Sequence, residues 1–191
     1  TIMKCRILAL VMGAMTLFVL PTSAQIDPNN VEIVRDTWGV PHIFGKTDAD
    51  AAYGLAWATA EDDFGTIQQL FLAANGRLGE VTGKNGALLD FMGKITQVEE
   101  EVEKRFDSSF SDDYLDYLNA YVQGLNKYAE THPNEILRKG LFPVTAKDLI
   151  KCNNLTLVFL TNVYVEIQQI FARSIVLYER NIKYEGNLPD G

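Results

Sequence analysis

The chain has 191 residues, 47% of them hydrophobic, and its 17 Lys and Arg against 25 Asp and Glu leave a formal net charge of −8. That length supports one domain or a large piece of one, and the acid excess argues against nucleic acid or anionic lipid as a partner, because phosphates would meet like charge. Two histidines and two cysteines, none at ligand spacing, give no basis for a transition-metal site.

The first 24 residues read as a secretory signal peptide. Lys4 and Arg6 form a basic start after Met3, the expected translation start, and Ile7 to Leu20 is the apolar core. Pro21-Thr22-Ser23-Ala24 then places small residues before a cut after Ala24. The apolar run is shorter than the roughly 20 residues that span a bilayer. The expected location is therefore periplasmic or secreted, with no membrane contact after cleavage. Cys5 would depart with the leader, leaving Cys152 alone near Ile150 and Leu155 as a packed, inert thiol.

From Gln25 onward the expected class is α+β, mostly helix with one short β-hairpin. Val31, Ile33, Val40 and Ile43 carry β-branched character around the turn Asp36-Thr37-Trp38-Gly39. Lys46-Thr47-Asp48 caps an Ala-rich helix running to Thr59, and Glu61 to Ala74 forms a second, with Phe64, Ile67, Leu70, Phe71 and Ala74 on one stripe. Asn75-Gly76 stops it, Arg77 to Val81 is a helical turn, and Thr82 to Gly86 is a loop. Glu99 to Arg105 reads as a solvated helix face. Ser111 caps a further helix whose stripe of Leu115, Leu118, Val122, Leu125 and Ala129 repeats at three and four up to His132-Pro133. After a loop at 140–143, Thr145 and Asp148 open a last helix with a break near Thr161-Asn162.

The chain carries little chemistry of its own. His42 and His132 each sit beside a proline, and there is no G-x-S-x-G elbow, so no Ser-His-acid triad is expected. The segment GEVTGKNG lacks the spacing and the Ser or Thr of a phosphate loop and reads as a turn. Glu61-Asp62-Asp63 is explained by the dipole at a helix start. Asn154-Leu155-Thr156 fits a glycosylation sequon inside an apolar helix and is taken as chance.

One combination is more specific. From Val31 to Gly83 the chain reads VEIVRDTWGVPHI, then a Gly-Leu-Ala-rich helix, then EDDF, then NGRLGEVTG. Four sub-motifs in this order resemble the start of the α-segment of penicillin acylases. These are N-terminal-nucleophile amidohydrolases that include acyl-homoserine-lactone acylases and aculeacin acylases. The resemblance implies a secreted, self-processing amide hydrolase acting on N-acyl compounds, with an αββα sandwich completed by a β-segment of the same precursor. Residues 25–186 would be the α-segment, and 187–191 the start of the processing loop, with Gly191 before the scissile bond. The nucleophile would be a serine opening the β-segment, so this chain would supply no catalytic residue and be inactive alone.

By the same resemblance, the broken helix at Phe159 to Tyr164 would line the acyl pocket. Anchoring on Asn162 places Leu160, Val163 and Tyr164 there. Val163 stands where the phenylacetyl-specific member has a cation, which implies aliphatic acyl chains. No cofactor is implied for catalysis, but a structural calcium is, with Glu166 as its ligand, although the spacing around NVYVEIQQIF departs from the family pattern. The alternative reading is a non-catalytic periplasmic helical binding or scaffold protein complete at Gly191.

Overall fold

The computed structural model describes residues 25–161, together with 165 and 169. Strands β1 (Val31–Arg35) and β2 (Pro41–Gly45) pair antiparallel, with Ile33 opposite Ile43 and Val34 opposite His42. Six helices follow within residues 25–161: α1 (Asp48–Ala74), α2 (Gly79–Thr82), α3 (Lys84–Ile95), α4 (Val98–Ser109), α5 (Asp112–Thr131) and α6 (Ala146–Leu160). Short 3-10 turns at Pro28–Asn30 and Pro133–Glu135 lead into β1 and out of α5.

Local signals start the long helices. Thr47 and Asp50 form a reciprocal capping box at α1, and Thr145 and Asp148 form another at α6. Ser111 accepts from the Tyr114 N–H at α5, with Asp112 and Asp113 in the first turn beside the positive helix end.

The two helices read over 48–74 are one element that bends at Asp63, whose φ of −157° and ψ of 69° leave helical geometry. The break therefore lies three residues after Ala60, and the Asp63 carboxylate accepts the Thr66 N–H to cap the second half. Leu70 was expected on the buried stripe, yet it is exposed, and the fully buried positions are Gln68 and Leu72. All of these positions follow the bend, and the inward face runs through Phe64, Gln68, Phe71 and Leu72 at helical spacing, which leaves Leu70 off it. Residues 84–86, expected as loop, begin α3. Helix α4 also runs on through Phe106 to Ser109, where a break was expected after Arg105, and it buries Val98 and Val102 on its inner side.

The core forms where α1 crosses α5. Ala56, Ala60, Phe64, Phe71 and Leu72 meet Val122, Leu125, Tyr128 and Ala129, with Leu155 of α6 closing the cluster. Small residues let the backbones approach. A Cβ on Gly124 would stand 2.5 Å from the Tyr53 carbonyl oxygen and 2.9 Å from Ala56 Cβ. One on Gly54 would lie 2.6 Å from Val31 Cγ1 and 2.7 Å from Ile43 Cγ2, so the hairpin rests on α1 where α1 has no side chain. A second cluster joins Val98 and Val102 of α4, Leu118 of α5, and Ala146 and Ile150 of α6.

Two carboxamides, Gln68 buried and Asn126 half-buried, fix the loops. Gln68, with none of its surface exposed, donates from Nε2 to the Glu135 carbonyl at 3.0 Å and accepts the Leu137 N–H at 2.7 Å. Asn126 donates to the Val144 carbonyl at 2.9 Å and accepts the Val144 N–H at 2.8 Å, which sets the approach to α6. Each uses both ends of its amide, so little hydrogen-bonding capacity is lost on burial.

Candidate functional site

The charged residues of the N-terminal motif are spent on architecture. Arg35, at the end of β1, reaches Asp62 Oδ1 at 2.8 Å and Glu61 Oε2 at 3.2 Å, and donates to the Gly39 carbonyl at 2.9 Å. One guanidinium thus ties the hairpin turn to α1, and Asp62 first and Glu61 second hold its proton more firmly than usual. Glu61 also accepts the Trp57 indole N–H at 2.9 Å. Asp36 accepts the Trp38 and Val40 N–H groups at 2.8 and 3.0 Å and contacts His42 Nε2 at 3.3 Å. Loss of hydration alone would raise this carboxyl, but those donors outweigh it and hold it below the ordinary range. The acids at 61–63 are therefore a clamp and an internal cap rather than a helix-start cluster.

The turn at GEVTG is likewise occupied. Asp90, on α3, accepts the Leu78 N–H on one oxygen and the Gly79 N–H on the other, both at 2.8 Å. The groups that would cradle a phosphate at the α2 start already hold a carboxylate. Glu80 lies between Arg77 at 2.9 Å and Arg138 at 2.7 Å, which lower its carboxyl to about 2 and join α2 to the loop before α6.

A hydroxyl–imidazole contact does occur among the described residues, between Thr131 Oγ1 and His132 Nδ1 at 3.0 Å. Both atoms also lie 3.0 Å from the Tyr128 carbonyl at the end of α5, and the imidazole stacks on the Tyr128 ring at 4.0 Å between centroids. It is a helix-end cap. Cys152 is buried, and burial pushes its thiol up to about 12, so it is protonated and unreactive at neutral pH. Among the described residues no group of three His, Cys, Asp or Glu is arranged to hold a metal ion, and no helix is long and apolar enough to cross a membrane.

Of the residues expected to contact substrate, Leu160 is described. It closes α6 and is 74% exposed, one turn beyond Leu157 at 58%. Thr161 caps the helix, at the expected break. Val163 and Tyr164, together with Glu166, Gly191 and Ala24, lie outside the described residues, as do the leader and the segment 187–191. A separate open cavity of about 760 Å³ lies between the first described residues and α5, walled by Ile26, Tyr53, Gln123, Phe142 and Pro143 among others. Leu160 is not part of it, and no sequence signal pointed to it, since its walls come from four separate stretches of chain.

Residues 30–166 match the sequence profile of the family described as penicillin amidase. The chain belongs to the penicillin amidase family. Individual relatives of this family member are distant. The acyl-homoserine lactone acylase QuiP of Pseudomonas fluorescens is 26% identical over 65% of this chain and 16% of its own length. Penicillin G acylase of Escherichia coli is 24% identical over 63% of the chain and 14% of its own length. A penicillin acylase 2 proenzyme from a Pseudomonas species is 31% identical over 51% and 12%. The chain thus spans about a sixth or less of the curated relatives it matches. Among solved structures, the thermostable penicillin G acylase of Alcaligenes faecalis superposes with a TM-score of 0.57 at 19% identity, covering 84% of this penicillin amidase chain and 95% of that chain. That likeness concerns the fold: mostly helical, with a two-strand antiparallel hairpin.

Proposed function

We propose that this chain is the α-segment of a secreted, self-processing acylase that hydrolyses the amide bond of N-acyl compounds such as acyl-homoserine lactones or penicillin-like amides. The supporting observation is the contrast in coverage. The chain accounts for nearly all of one solved penicillin G acylase chain, yet about a sixth or less of full curated relatives, one of them named a proenzyme. A leader at residues 1–24, cut after Ala24, would carry it to the periplasm or medium.

In this reading the nucleophile is a serine at the start of a β-segment that follows Gly191. Its hydroxyl attacks the amide carbonyl while its own α-amine, through a water, takes the proton. An oxyanion hole in the β-segment stabilises the tetrahedral intermediate. The chain here contributes the acyl wall through Leu160, Val163 and Tyr164. Apolar walls suit an acyl chain, since each buried methylene contributes about 0.8 kcal/mol. Calcium, if bound, would be held through Glu166 between the segments in a structural role.

The test pairs two measurements. Purified residues 25–191 should show no saturable hydrolysis of acyl-homoserine lactones or penicillins, and activity should appear when the segment encoded downstream is co-expressed. In that two-segment enzyme, Val163→Phe should move the optimum acyl length, because one methylene is worth roughly 1–3 kcal/mol of discrimination in such a pocket. Turnover by residues 25–191 alone would sink the assignment. Wild-type and variant kcat/KM profiles that peak at the same acyl length would sink the pocket residues.

A further inference from the structure

We propose that Gln25, once it becomes the N-terminal residue, cyclises to pyroglutamate, so that the mature segment carries a neutral, blocked N-terminus. The inference rests on the leader reading above. The chemistry needs nothing beyond the residue itself. The α-nitrogen bonds to the side-chain Cδ, the Cδ–Nε2 bond breaks, and that nitrogen leaves as ammonia with the proton given up by the α-amine. A five-membered ring forms, and the amine and the amide are held together by the residue's own backbone, so the step is unimolecular.

Three features of the structure favour it at this position. Gln25 is exposed, and its side-chain amide has no hydrogen-bond partner among the described residues, so loss of the amide nitrogen breaks no contact there. The first anchor to the fold is the next residue, whose N–H donates to Gln123 Oε1 on α5 at 3.0 Å. Cyclisation alters only atoms of Gln25 ahead of its own carbonyl, so that anchor is retained. Finally, Gln25 borders the cavity of about 760 Å³ whose walls include Ile26, Pro28, Phe142 and Pro143, with Lys127 the cation nearby. Lys127 is paired there with Glu130 at 2.9 Å, so the local charge is balanced, and a neutral lactam suits the apolar walls better than an α-ammonium would. A blocked terminus would also resist aminopeptidases at an exposed end of the chain.

The experiment is to secrete the full chain, leader included, from a bacterial host and quench the harvest in acid and denaturant, so that neither handling nor folding decides the result. The processed N-terminal peptide is then examined by mass spectrometry, and by stepwise sequencing before and after pyroglutamyl aminopeptidase. The expected peptide starts at position 25, is lighter than its linear form by one ammonia, and sequences only after the peptidase, then from Ile26. Gln25→Ala should give the linear mass and an open terminus at the same position. A peptide starting at Gln25 with a free amine overturns the cyclisation and leaves the leader reading in place. An uncleaved leader, or processing at another position, overturns both.

Discussion

The two halves of α6 are almost equally apolar in sequence and differ sharply in environment. Its first part starts at a capping box and buries Ala146, Ile150, Cys152 and Leu155 against α1, α4 and α5. Its last turn presents Leu157 and Leu160 to solvent at 58% and 74% exposure. Helix propensity and hydrophobicity continue through both halves, so neither accounts for the change. What changes is the supply of neighbours. Exposed adjacent leucines at the end of a long helix are the surface expected of an element that meets another segment, which agrees with the proposed β-segment.

The largest effect separates core from end. Leu72→Ala, at a position with no exposure, should destabilise the chain by about 2–5 kcal/mol. Leu160→Ala should stay within roughly 0.5 kcal/mol, as for surface positions generally. Urea unfolding of the two variants checks this, and equal costs would mean that the end of α6 is packed after all. Gln68→Ala should fall between them at about 1–3 kcal/mol, because the Leu137 N–H and the Glu135 carbonyl lose their partner.

The Arg77–Glu80–Arg138 bridge predicts a pH signature. Its folded carboxyl lies at about 2, below the ordinary 4.5. The stability it adds is present above pH 4.5 and is lost as pH falls from there towards 2. The difference in unfolding midpoint between wild type and Glu80→Gln should shrink over that window, and a constant difference would remove the bridge from the account. Cys152 offers a probe of the packed half of α6. A thiol reagent should label it only as fast as the chain unfolds, and rapid labelling under native conditions would show that this half opens. The smallest change is expected from Leu157→Ser with Leu160→Ser, which should reduce binding of a hydrophobic dye without lowering the unfolding midpoint.

Sequence reading did best where the physics is local. Thr47, Ser111 and Thr145 were legible as caps because a capping hydroxyl serves an N–H within three residues, and the α5 stripe was legible because Leu118, Val122, Leu125 and Ala129 keep one face over its length. It missed the start of α3, where Gly86 and Gly93 weaken the propensity and Met92 is buried only by packing from elsewhere. It placed Leu70 inward because Leu70 is apolar, whereas the inner face of that half of α1 passes through the polar Gln68. For the candidate site the motif order was enough to indicate the family, but not what Arg35, Asp36 and Asp62 do, since charges in a sequence look alike whether they catalyse or clamp.

By itself, then, the sequence determined the capped starts of α1, α5 and α6, the hairpin and the family, all of which depend on residues close together in the chain or on their order. Only the tertiary structure decided that Gln68 belongs in the core, that the motif's carboxylates are committed to Arg35 and to backbone N–H groups, and that α6 is buried at one end and bare at the other. Those outcomes depend on which groups from distant parts of the chain arrive within a few ångströms. Burial and hydrogen-bond satisfaction are properties of that arrival, not of any residue alone.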